Sequence, residues 1–310
     1  MTDYTDLTPG AGGWIVEPVD SDVLHTVYAN SAVSVAARKV LMSTPTVRVP
    51  RFVSNGADVV PEHTVIPVQV GVLDAVTLGA VKFANRFAIS IEDQRDSIVD
   101  VLNQKKIAWA NSFARKLDNA TLGVDAVANG TTVPFESVYH QVKNYNAGSN
   151  LVVTTGVAPL NLTKLVNAFQ ILEEGLYNGN LVVIAHPAFK GLLRNLKDDA
   201  GFRVLTDPLN GFTGNTNGVI AAGGPSVFGN TLLFSQGCRA NLTASDVPTG
   251  NPLLVVVNSE HLILGVRDGI ESAVSDQERW STDEVELKIR ARRAFALATP
   301  AAAMVIEKGV

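Results

Sequence analysis

A chain of 310 residues with 46% apolar and 18% charged side chains can bury one large core or two ordinary ones, which sets it among ordered globular proteins. Its formal net charge of −5 gives no bulk attraction to nucleic acid, and a single cysteine, Cys238, excludes an intrachain disulfide and a cysteine-rich metal site. No run of about eighteen apolar residues occurs, so no membrane-spanning helix is expected.

Residues 1–13 read as a flexible arm ending in Gly10, Gly12 and Gly13. Acids stand where a secretory signal has Lys or Arg, so a cytoplasmic start is expected. Trp14, Ile15 and Val16 open the ordered part. A helical pattern over residues 21–41 carries Val23, Leu24, Val27, Tyr28, Val35 and Val40, weakened in its middle by Ser31, Val33 and Ser34. Residues 44–78 differ in kind. Pro45, Pro50, Pro61 and Pro67 punctuate β-branched residues, and Asn55-Gly56 is the strongest turn signal. The pattern predicts a long two-stranded hairpin with exposed edges, because proline is tolerated at sheet edges and not in central strands. Such an arm does not bury its own two faces and is expected to need another subunit.

Residues 90–123 carry one long amphipathic pattern. Ile91, Ile98, Leu102, Trp109, Phe113, Leu117 and Ala120 recur at spacings of three, four or seven, which places them on one stripe of a helix. Ser90 suits the N-cap, and Glu92 and Asp93 suit the positive end of the dipole. Lys105, Lys106, Arg115 and Lys116 fall in the later half, and Gly123 offers a left-handed stop. A rod of that length spans roughly 50 Å, and strands around Leu287 and Ile289 are expected to cover its stripe, with Gln104 on the opposite face.

Residues 124–150 read as a mixed connector with turns at Asn129-Gly130 and Asn146-Ala147-Gly148. An α/β module follows: a helix over 160–176, a buried strand over 181–185, and a second helix after His186-Pro187. Short strands are then expected near Val219, over 231–234, 253–257 and 261–264. Alternation of Val285, Leu287, Ile289 and Ala291 with Glu286, Lys288, Arg290 and Arg292 predicts a strand, and residues 301–307 close the chain as another.

No catalytic or metal signature accompanies these elements. His25, His63, His140, His186 and His261 lie on unrelated elements without ligand spacing. The Ala221-Ala222-Gly223-Gly224-Pro225 loop lacks the Lys and Ser/Thr of a phosphate-cradling loop and reads as a turn. Asp93, Asp96 and Asp100 sit at spacings of three and four, a polar helix face or a weak cation attractor. Arg290, Arg292 and Arg293 form a solvated strand face or grip DNA or a neighbour's acids. Cys238 reads as a small core residue.

The order of elements resembles the major capsid proteins of tailed bacteriophages, whose α+β fold is named after phage Hong Kong 97 and is shared by encapsulins and the herpesvirus capsid floor. The resemblance rests on Gly12-Gly13-Trp14 with Glu17-Pro18, on Val59-Val60-Pro61-Glu62 in the projecting loop, on the helix that begins soon after Phe87, on LVVIAHPAFKGLLRNLKDDAGFRVL, and on the terminal strands after Trp280. It implies an N-terminal arm (1–42), an extended β-hairpin loop (43–79), a peripheral domain with a long spine helix (80–149), an α/β axial domain (150–270) and peripheral C-terminal strands (271–310). It implies a non-enzymatic shell protein without cofactor or metal, assembling in the host bacterial cytoplasm as hexamers and pentamers of an icosahedral virion capsid around double-stranded DNA. Portal, scaffolding, protease and decoration proteins are its implied partners. Trp14, Val47, Arg48, Arg51, Phe52, Val59, Glu62 and Val65 would make inter-subunit contacts. Leu102, Trp109, Phe113 and Leu117 would form the spine-helix core. Some relatives weld neighbours through a loop lysine, but residues 44–81 contain none, so that crosslink is not expected here. No long scaffolding region precedes the Gly-Gly opening, which implies a separate scaffold or none. An encapsulin-like nanocompartment shell and, more distantly, a soluble α/β enzyme are the alternative readings.

Overall fold

The computed structural model describes residues 31–52, 59–66, 73–97, 100–155, 159–197, 226–277 and 279–309. Trp14 and the rest of the arm to residue 30, His25, Ile98, the Asn55-Gly56 turn, the strand near Val219 and the Gly223-Gly224 loop lie outside them.

The chain enters as a short helix, α1 (Ala32–Ala36), whose cap Ser31 accepts a hydrogen bond from Ser34 N. The helical pattern stops there. Residues 38–41 form strand β1 (Arg38–Leu41), which pairs in parallel with Ile263–Val266 of β11 (Leu262–Ser275). The ladder overrides a weak helix propensity once a strand edge is available to it. Next come β2 (Thr46–Phe52) and β3 (Leu73–Gly79), an antiparallel hairpin with Val47 opposite Leu78, Val49 opposite Val76 and Arg51 opposite Asp74.

After β4 (Val81–Ser90), the single helix expected over 90–123 is in fact two. Ser90 caps α2 (Ile91–Asp96), and Ser97 then leaves helical geometry with ψ 130°. Asp100 starts again as the N-cap of α3 (Val101–Leu122), its carboxylate accepting Asn103 N–H at 3.1 Å. The 22 residues of α3 make a rod of about 33 Å rather than 50 Å. Asp93 and Asp96 fall on α2 and Asp100 on the cap of α3, so the three do not share one helix face. Gly123 ends α3 with φ −123°, which is not the left-handed stop. Glycine is required there for space, since a Cβ would stand 2.0 Å from the Arg239 carbonyl oxygen.

The connector holds a helix that its pattern did not announce, α4 (Val138–Asn144), capped by Ser137 and burying Val138, Tyr139 and Val142. Beyond it run β5 (Leu151–Thr154), α5 (Leu162–Glu174), β6 (Leu181–Ala185), α6 (Phe189–Arg194), β7 (Ser226–Val227), β8 (Asn230–Phe234), β9 (Arg239–Ala240) and β10 (Asn251–Asn258). The chain closes through β11, β12 (Glu284–Leu297) and β13 (Ala303–Lys308).

Two larger sheets organise the described residues. One runs β1-β11-β12-β4; the other runs β5-β13-β10-β6-β8-β7, with β9 on β10. β11 begins at Leu262 and pairs with β12 along its length, so residues 262–275 share one sheet with β12. β13 lies between β10 and β5 in the other sheet. Its side chains alternate between two cores: Ala303 and Val305 join the α3 core, and Met304 and Ile306 join the core under α5 and α6.

Candidate functional site

The stripe of α3 faces the inner side of β4 and β12. Trp109, Phe113 and Leu117 are buried with Phe83, Leu287, Ile289 and Ala291, and Leu102 packs partly buried against them. Trp109 stacks on Phe113 at 5.1 Å between centroids, and Phe83 meets Phe113 edge-on at 5.3 Å.

At its far end α3 is held by polar side chains. Asp118 is 2% exposed; it accepts Ser31 Oγ at 2.5 Å, Ala32 N at 2.9 Å, Val33 N at 3.2 Å and Ser235 Oγ at 2.5 Å. Burial pushes its carboxyl above the ordinary carboxylate value, against the pull of those four hydrogen bonds. The neighbouring Asn119 donates to Gly237 O, Arg239 O and Asn241 Oδ1. These two side chains pin α1, α3 and the 235–241 segment together. The sequence carried a signal for this: an acid near the C-terminal end of a helix opposes the dipole and calls for a local reason.

His186 is the second buried polar node. Ala188 N lies 3.0 Å from Nδ1 and Arg239 Nε 3.0 Å from Nε2, two N–H groups of which the ring accepts one. A neutral imidazole has one lone pair to offer and the cation has none. Burial, with the charges of Arg239 and Lys308, pushes its pKa down from 6.5 to about 4. A group depressed in this way stabilises the fold above its unfolded pKa and loses that share as the pH falls. Between pH 6.5 and 4, His186 is therefore expected to cost up to about 3 kcal/mol of subunit stability. Urea titrations of wild type and His186→Gln check this: the acid-side loss shrinks in the variant, and parallel curves would remove His186 as its source. The other histidines are scattered. His140 Nδ1 lies 3.0 Å from Asp125 Oδ1, His261 meets Tyr177 edge-on at 5.2 Å, and His63 occupies a turn with φ 62°. Cys238 is fully buried in the α3 core.

Of the residues expected to reach other subunits, several are held by their own chain. Val47 and Val49 pack partly buried on Met42, Leu78, Ile263 and Ala294, so the hairpin base covers one end of the β11-β12 sheet. Arg51 bonds Asp74 and the Ala298 carbonyl, and reaches Thr299 Oγ1 at 3.2 Å. The expectation that the whole hairpin lacks partners is corrected at its base: period-two alternation gives one half-buried face there. Phe52 ends β2. Arg48, Val59, Glu62 and Val65 are exposed, Val59 at 98% and Val65 at 88%.

Arg290, Arg292 and Arg293 do not stand as one cationic patch. Arg290 pairs with Glu271 at 2.7 Å and Arg292 with Asp268 at 3.4 Å. Arg293 points to the opposite face, with its guanidinium 5.7 Å from the Phe113 ring and a hydrogen bond to Asp268 O. The register places Arg290 and Arg292 on one side and Arg293, opposite Val81, on the other.

A groove of 970 Å3 opens between the hairpin base and residues 128–136; its charged lining residues among those described are Lys82 and Glu136. Across the described residues, no three His, Cys, Asp or Glu side chains converge as metal ligands do, and no helix is long and apolar enough to cross a membrane.

Solved structures share this architecture from end to end. The chain is similar to a protein of Mycobacterium phage Bobi (20% identity, TM-score 0.71, 96% of each chain covered). It is also similar to one of Mycobacterium phage Ogopogo (14% identity, TM-score 0.72, 95% of this chain and 97% of that one). A third match is the capsid of an empty GTA particle (16% identity, TM-score 0.67, 96% and 97% covered). Among curated proteins none matches. Residues 75–306 match the family described as phage capsid protein, a span that takes in α3 and the strands from β4 to β12, and on that match the chain belongs to the phage capsid protein family.

Proposed function

We propose that copies of this chain associate as hexamers and pentamers into an icosahedral shell around double-stranded DNA, and that subunit contact, not turnover, is its mechanism. The observation that carries the reading is the hairpin. Its base is anchored by Leu78, Val47 and Arg51, while beyond it Val59, Val65 and Ile66 are 98%, 88% and 75% exposed. Apolar side chains so placed contribute nothing to a lone subunit. Covered by a neighbour, they contribute about 25 cal/mol for each Å2 removed from water, and the term recurs at every interface of a closed shell. Assembly belongs in the host bacterial cytoplasm, with portal, scaffolding, protease or decoration proteins as further partners.

Replacing residues 53–66 by a short Gly-Ser turn tests the reading. The truncated chain is expected to stay soluble and folded by circular dichroism, because the anchoring residues are retained, and to give no closed particles by negative-stain microscopy. Normal shells from it would overturn the proposal.

A further inference from the structure

Among the described residues, β4 is the outermost strand of its sheet. It pairs with β12 in unbroken register from Val81 to Ser90, and its ten residues include no proline, so its outer side presents a straight row of backbone N–H and C=O groups. Asn85 Oδ1 accepts Arg86 N–H at 2.8 Å, a side chain standing where a neighbouring strand would. A groove runs beside this edge. Lys105, Trp109, Ser112 and Lys116 follow one another along α3 at spacings of four, three and four, which sets them on one stripe. Lys105 lies 5.9 Å from the centre of the Phe87 ring at one end. At the other end Trp109, Ser112 and Lys116 close a pocket of 280 Å3 against Val81–Asn85. From Val81 to Phe87 the strand covers about 20 Å. The groove is cationic in a chain whose net charge is −5: Lys82, Lys105 and Lys116 stand along it, and Asp246, the acid in the pocket lining, lies 3.8 Å from Lys116.

The geometry points to β4 as the docking edge for an extended acidic segment of another protein, which adds a strand to the sheet and sets one apolar side chain in the pocket beside Trp109. Main-chain hydrogen bonds along an edge supply affinity, and pockets for alternate side chains supply selectivity. Charge chooses the occupant. Lys82 and Arg86 on the strand repel the same edge of a second copy, which is how exposed edges avoid pairing with one another, and together with Lys105 and Lys116 they attract carboxylates. The chain's own residues 1–30 arrive elsewhere. Ser31, where they join α1, bonds to Asp118 and lines a separate groove with Ala110, Ala114 and Leu117. At about 100° per residue those three fall on the flank of α3 away from the Lys105–Lys116 stripe, so the helix stands between the arriving arm and the edge. The contact is additional to the shell reading above and is tested without reference to particle closure.

The probe is a fluorescein-labelled heptapeptide with Glu at its odd positions, Val at the second and sixth, and Phe at the fourth. It is expected to bind the full-length unassembled subunit saturably by fluorescence anisotropy, and to slow amide hydrogen exchange across residues 81–89. The same peptide with Lys in place of Glu is expected not to bind. Lys105→Glu with Lys116→Glu is expected to stay folded by circular dichroism and to weaken binding by roughly tenfold or more, since both changes turn attraction into repulsion. Ser112→Phe fills the pocket and leaves the lysines in place. It is expected to abolish the preference of the wild type for the Phe-centred peptide over one with Gly at the fourth position. Absence of saturable binding overturns the inference, as does equal binding by the lysine double variant. Binding that leaves exchange at residues 81–89 unchanged overturns the added strand. Slow exchange of that edge in particles made from this chain alone, with fast exchange in the free subunit, assigns the edge to a second copy and overturns the inference as well.

Discussion

Trp109→Ala is expected to destabilise the unassembled subunit by about 3–5 kcal/mol, the range for truncating a buried large aromatic. Trp109 is 8% exposed and stacked on Phe113, so its removal strips one face of a ring that also meets Phe83. The loss is a large fraction of the roughly 5–15 kcal/mol that a domain has in total, and the variant is expected to accumulate as insoluble chain. Urea denaturation of whatever soluble subunit is recovered measures the shift. Gln104, expected on the face opposite the stripe, has its Oε1 buried with no hydrogen bond among the described residues, so a carboxylate there would be desolvated and Gln104→Glu does not serve as a control. Ala108 is exposed, and Ala108→Gln is expected to leave the midpoint within about 0.5 kcal/mol of wild type. A Trp109→Ala subunit that melts like wild type would mean that the aromatic cluster does not hold α3 on the sheet.

A comparable loss is expected from a single polar side chain. Asp118→Ala leaves Ala32 N–H and Val33 N–H, together with two serine hydroxyls, without their acceptor. Each buried donor without a partner costs about 1–3 kcal/mol. The hydroxyls can rotate toward other acceptors and the backbone amides cannot. Relief of the carboxylate's own burial offsets part of the loss, so the expected total is about 3–5 kcal/mol. Asp118→Asn keeps one acceptor oxygen and is expected to fall between wild type and Ala in denaturant midpoint. Equal midpoints for all three proteins would show that the junction of α1, α3 and the 235–241 segment is not held through Asp118.

The contrast between these two sites shows which information is local. Trp109, Phe113 and Leu117 announce themselves by spacing, because a helix repeats every 3.6 residues whatever it packs on. Alternation likewise marks β12, and a continuous apolar run marks β6. The break after α2 had a local signal too, a second capping residue at Asp100, but it was masked by a stripe that continues in phase on either side. Three other features depend on partners distant in sequence. Residues 38–41 become a strand because β11, more than 220 positions later, offers an edge. Arg51 is fastened to Ala298 and Thr299, and no pattern near residue 51 points there. Whether Arg290, Arg292 and Arg293 form one patch or two depended on strand parity and on the acids of β11. Composition carries neither.

Because β13 lies inside its sheet, between β5 and β10, and feeds both cores, the order of synthesis matters. On a ribosome, Ala303–Lys308 emerges after all the strands that it joins. Until then β5 and β10 have a gap between them, and Val255 and Val256 lack the cross-strand neighbours Val305 and Met304. A chain released early therefore closes neither core and cannot pass as a finished building block.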